Sequence, residues 1–143
     1  MLRASGVWDV RCPPALPRMF PVRKGYYYKV DRAQGKRILA ALCRAYGIPA
    51  GTVTLASVGP TERCNGQCWF LAGRRARIHT HARGHMKTVF HEFYHALDHY
   101  TGGRYNSDDR NGGPSSLAWQ FADRLFDIVR NTKITVGFKR EKS

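Results

Sequence analysis

Apolar positions recur with two different periods along the chain, and each change of period marks an element. From Asp31 to Tyr46, Ile38, Leu39, Leu42 and Tyr46 return every three or four residues, the spacing of a one-sided helix. Asp31 with Gln34 forms a capping-box pattern at its start, and Gly47 followed by Pro49 ends it. Thr52 to Val58 is rich in β-branched residues and reads as a strand, which Gly59-Pro60 breaks. Residues 61–64 and 67–72 read as the arms of a hairpin about Asn65-Gly66. After a turn at Gly73 to Arg75, Ala76, Ile78 and Thr80 alternate with Arg77, His79 and His81, the period of a half-buried strand.

Helical spacing returns after Gly84. Val89, Phe90, Phe93, Ala96, Leu97 and Tyr100 share one arc of a helix from Met86 to about Tyr100, closed by Gly102-Gly103. A polar loop, Arg104 to Pro114, follows, with Pro114 in the first turn of another helix. That helix has Leu117, Ala118, Phe121, Ala122, Leu125, Ile128 and Val129 on its apolar face and ends near Asn131. Four of the seven prolines (Pro13, Pro14, Pro17 and Pro21) fall in the N-terminal stretch, which reads as an extended arm ending in a short strand at Tyr26 to Val30. The three tyrosines there are read as packing residues rather than base-stacking ones. The organisation expected is a Pro-rich basic arm (1–30), one domain (31–131) and a basic tail (132–143). The fold expected is α+β: a small, mostly antiparallel sheet packed on helix 86–100, with two further helices.

Composition narrows the class. At 143 residues with 43 % hydrophobic content, the chain can bury a core without staples. No apolar run approaches the roughly 20 residues of a membrane span, and Met1 to Gly6 lacks the apolar stretch of a secretory signal. A cytoplasmic protein with no membrane partner is therefore expected, with packaging into a virion left open. Of the four cysteines, Cys64 and Cys68 have a spacing close to a zinc knuckle, but no second cysteine pair completes one. They read as hairpin residues in a reducing compartment. The net charge of +14 is spread over the N-terminal arm, Arg74 to Lys87 and the tail, and points to polyanions, nucleic acid above all.

The chemistry concentrates in His91-Glu92-Phe93-Tyr94-His95. Residues four apart on a helix share a face, so the two imidazoles can converge on one metal at about 2.0–2.1 Å each. Glu92 is turned about 100° from His91 and reaches a water on that metal rather than the metal itself, as a general base must. His91, Glu92, His95, Asp98 and His99 lie on the arc opposite the apolar one.

This string resembles the HExxH metallopeptidases, the zincins, and the order of elements over residues 31–131 resembles their small SprT-like and minigluzincin members. The resemblance implies one zinc ion, His91 and His95 as ligands, Glu92 as catalytic base, and peptide-bond hydrolysis of a protein or peptide substrate. It also implies that Ala76 to His81, the strand before the motif helix, is an edge strand that pairs with substrate. The third ligand departs from the known patterns. The final helix has no Glu for the gluzincin arrangement, Asp98 and Thr101 stand where metzincins need Gly and His, and no His follows His99. Asp108 or Asp109 leads as third ligand, ahead of Asp98, His99 and Asp123. His79 and His81 are candidate substrate-binding residues or, with His85, a second metal cluster, and Tyr100 and Tyr105 are candidate oxyanion donors. The function expected is a zinc metalloendopeptidase. A basic nucleic-acid-binding module and a non-catalytic zincin-fold protein are the alternatives.

Overall fold

A computed structural model describes residues 9–19, 30–58, 66–81, 86–105 and 116–142, with the side chains of 57, 58, 81 and 132–142 left aside. The elements are a short 3-10 helix at Leu16–Met19, then α1 (Arg32–Ala45), β1 (Val53–Val58), β2 (Gly66–Phe70), β3 (Ala76–His81), α2 (Met86–Tyr100) and α3 (Leu117–Lys142). The class is α+β.

Helix α1 begins as its sequence predicts. The Gln34 N–H donates to Asp31 Oδ1 at 2.8 Å, and the Asp31 N–H donates to Gln34 Oε1 at 3.0 Å. Its Gly35 is there for packing: a Cβ at that position would stand 2.6 Å from Leu55 Cδ2, so the bare backbone lets α1 settle on β1. Helix α2 closes at Gly102 and Gly103, both in the left-handed region, with the Gly103 N–H donating to Asp98 O. Helix α3 starts at Leu117, later than the Pro114 start expected, because Ser116 Oγ accepts the Trp119 N–H as an N-cap. It runs on to Lys142, past the end expected near Asn131. Ile128, assigned to its apolar face, is 39 % exposed, and Phe126 is buried instead, with Lys87 Nζ 4.7 Å above its ring.

The sheet has the order β1-β3-β2 and is mixed, where the sequence pattern predicts a mostly antiparallel one. Strands β2 and β3 form an antiparallel hairpin across residues 71–75, and β3 then inserts beside β1, parallel to it. Gly66 is a strand residue paired with Thr80, and the arm expected at 61–64 lies outside the described residues. Strand β3 is therefore central. The reading of Ala76 to His81 as an edge strand is corrected: both its edges are hydrogen-bonded, and among the described strands the outer ones are β1 and β2.

Val53, Leu55, Ala76 and Ile78 point from the sheet into the core, where α1 and α2 lie. Helix α3 packs on the far side of α2 through Ala118, Phe121, Ala122, Leu125 and Val129. Leu16, in the stretch expected to be an extended arm, is fully buried in the same core. The expected strand at 26–30 lies outside the described residues except for Val30, which is buried. Among the described residues no helix is long and apolar enough to cross a membrane.

Candidate metal centre

The N-terminal part of the ionisable arc of α2 is buried, not solvated, while Asp98 and His99 further along are partly exposed. His91, Glu92 and His95 are 8 %, 5 % and 7 % exposed. Buried polar side chains in an apolar setting carry a large desolvation cost unless they have partners, so their concentration on one helix turn calls for a chemical reason. Covering comes from two sides. On one, Gly66 of β2 lies against the helix: a Cβ there would be 2.7 Å from Thr88 Cγ2 and 3.2 Å from Glu92 Cγ. On the other, the Trp119 ring of α3 lies 4.2 Å from the His91 ring, inclined at 35°.

His91 Nε2 and His95 Nε2 stand 3.3 Å apart, with the ring planes at 81°. Two nitrogens bound at about 2.0–2.1 Å to one tetrahedral ion are about 3.4 Å apart, so this spacing suits such an ion. Glu92 Oε1 is 3.9 Å from His91 Nε2, and one ligand atom from each of the three residues falls within 4.8 Å of the others. Two convergent imidazoles with a carboxylate beside them suit zinc and other divalent transition metals. Among the described residues this is the only group of three or more His, Cys, Asp or Glu side chains so arranged.

The other candidates lie elsewhere. Asp98 Oδ1 accepts the Tyr105 N–H at 2.9 Å, which anchors the loop after α2. His99 stacks on Phe70 at 4.7 Å, with its Nε2 3.1 Å from Leu71 O, so it is turned toward the end of β2. Asp123 is half exposed and pairs with Lys87 at 3.0 Å. Asp108, Asp109 and His85 lie outside the described residues. His79 sits on the sheet face away from α2, with its ring 4.4 Å from Trp69, and burial with the nearby Arg77 charge holds its pKa below the usual value. His81 pairs with Val58 at the end of the same strand. The Tyr105 hydroxyl donates to Asp9 Oδ2 at 2.7 Å, and the Tyr100 carbonyl accepts from Arg74 Nη1 at 3.3 Å.

Three contributors to the site are not legible in the motif. Trp119 belongs to an apolar helix and reads as core. Gly66 reads as a turn residue. Cys68 has its thiol pushed up to about 12, first by burial and then by the neighbouring Glu92 carboxylate. The alternation of β2 would place Cys68 and Gly66 on one face, but only the sheet order brings that face onto α2.

No protein-family model, curated protein or solved structure matches this chain. Its likeness to HExxH peptidases rests on the buried group of His91, Glu92 and His95 on α2.

Proposed function

We propose that this protein is a zinc-dependent metallopeptidase. The observation that carries the reading is the buried convergence of His91, His95 and Glu92, with the two Nε2 atoms 3.3 Å apart. In this reading His91 and His95 hold the ion, oriented by their packing. Zinc supplies Lewis acidity, which lowers the pKa of water and polarises a carbonyl. The Glu92 carboxylate takes the proton of the attacking water and delivers it to the departing amine nitrogen. Burial excludes bulk water and strengthens each of these electrostatic contacts.

Asp108 is the favoured third ligand, with Asp109 next. Tyr105 is pinned near the end of α2, its N–H on Asp98 and its carbonyl accepting from the Tyr94 hydroxyl. Three further residues span up to about 10 Å, enough to return a carboxylate one helical turn to His95. The outer strand β2, with Gly66 against Glu92, suits an extended peptide added along its edge. By analogy with SprT-like enzymes, the +14 charge favours substrates that are themselves bound to nucleic acid.

The test is metal content together with cleavage of an unfolded protein substrate. The wild type should hold one zinc per chain and cleave. Glu92→Gln should keep the zinc and lose at least about a hundredfold in kcat. His95→Ala should lose both. Stoichiometric zinc with no turnover on any unfolded substrate would leave a non-catalytic metal protein and end the peptidase reading.

A further inference from the structure

The sheet has two unlike faces. Val53, Leu55, Ala76, Ile78 and Thr80 are buried toward α1 and α2. The alternate positions Thr54, Gln67, Trp69, Arg77 and His79 face the other way, and among the described elements no helix packs there. Trp69 pairs across the strands with Arg77, and Gln67 with His79, so these four side chains share one patch.

Trp69 is 51 % exposed, unusual for the largest apolar side chain on a regular strand. It is nevertheless held in place. Its Nε1–H donates to Gln67 Oε1 at 3.0 Å, and the His79 ring supports it at 4.4 Å. One side of the indole leans on His79 and the other meets solvent. Among the described residues, the charge beside it on this face is basic. Arg77 is exposed beside it, and Arg74 and Arg75 occupy the adjoining turn. The Arg75 guanidinium is fixed by the Ala72 carbonyl, which leaves its charge intact, while Arg74 reaches the Tyr100 carbonyl at the end of α2, on the opposite face. Glu62 is the sole acidic residue in the sequence between Arg32 and His91.

We infer that this open sheet face binds single-stranded nucleic acid, with a base stacked on Trp69 and the flanking phosphates on Arg77 and Arg75. A pre-positioned indole beside exposed guanidinium groups matches an unstacked base on a polyanionic strand. A duplex does not fit the feature, because its bases have no open face for the indole. The inference stands independently of the peptidase reading, since none of these residues belongs to the His91–Glu92–His95 group.

The experiment is fluorescence anisotropy with the full chain and labelled oligothymidylate or oligouridylate about a dozen nucleotides long, against a duplex of equal length. Either single strand should bind more tightly than the duplex. Trp69→Ala should weaken binding about five- to a hundredfold, and Trp69→Phe should keep most of it. Arg77→Gln should lower the slope of log affinity against log salt by about 0.7, one phosphate's worth on a single strand. Circular dichroism and thermal melting of each variant verify the fold. Three results would each overturn the inference: equal or tighter duplex binding; affinity indifferent to Trp69→Ala, which moves the binding to the basic tail; or self-association of the wild type that Trp69→Ala abolishes, which assigns the face to a second copy of the chain. Chelating the metal should change none of the single-strand affinities, so this test and that of the peptidase reading fail separately.

Discussion

The indole of Trp119 rests 4.2 Å from the imidazole of His91, across the α2–α3 interface. In the gluzincin arrangement the backing helix supplies a carboxylate ligand; here α3 presents an aromatic wall to the same side of the motif. It limits the rotation of His91 by packing, which makes the orientation of a candidate metal ligand depend on a core contact. Trp119→Ala should therefore weaken zinc binding about tenfold or more, by analogy with the loss of other groups that orient ligand histidines. Trp119→Phe should restore most of it. Competition with a chromogenic chelator reads both, and unchanged affinity in the alanine variant would remove Trp119 from the site.

Gly66 makes a prediction about the opposite wall. An added methyl would meet Thr88 Cγ2 at 2.7 Å and the backbone oxygen of His79 at 3.1 Å. Gly66→Ala should lose about 1–3 kcal/mol of stability by overpacking. Thr88→Ser removes the nearer obstacle, so the double variant should recover part of the loss. Urea denaturation of the four proteins measures the coupling, and strict additivity would place the two side chains out of contact.

Alkaline pH should destabilise the protein. Burial first, then Glu92, pushes the Cys68 thiol up to about 12, and burial pushes Cys43 up to about 11, both from 9.0. Tyr105 is pushed up to about 12 from 10.0 by burial and by its bond to Asp9. For each, the folded state holds the proton more tightly than the unfolded state. The stabilisation is complete below the unfolded value and drains away as pH rises from about 9 towards 12. The urea midpoint should accordingly be flat near neutrality and fall above pH 9. In the same range of origin, native Cys68 should resist iodoacetamide at about pH 8 and react on unfolding.

Asp98 separates an anchor from a ligand. As the acceptor of the Tyr105 N–H it secures the loop that leads to Asp108. Asp98→Ala should cost about 1–2 kcal/mol and weaken metal binding through that loop. Asp98→Asn keeps an acceptor and should keep the metal. Loss of zinc in the asparagine variant would make Asp98 a ligand and displace Asp108.

Much of this molecule is local and was readable as such. The Asp31–Gln34 cap, the helices and their glycine stops, and the His91–His95 spacing all follow from interactions between residues a few positions apart. The convergence of His91 and His95 is itself of this kind, because one turn of helix brings positions four apart together whatever surrounds them.

Other features needed the chain to fold upon itself. The local pattern of Ala76 to His81 identifies a strand with one buried face, but nothing in it says whether its edges are paired; long-range pairing with both β1 and β2 made it central and moved the outer edge to β2. The same pairing turned His79 away from α2 and onto the open face with Trp69. Burial of the group also came from afar, through Gly66 beside Glu92 and Trp119 beside His91, which come close only after the sheet and α3 close over α2. Sequence by itself determined which residues could meet a cation, since backbone helicity is a short-range property. Tertiary structure decided how dry that meeting place is and which strand borders it, since both depend on contacts between distant segments.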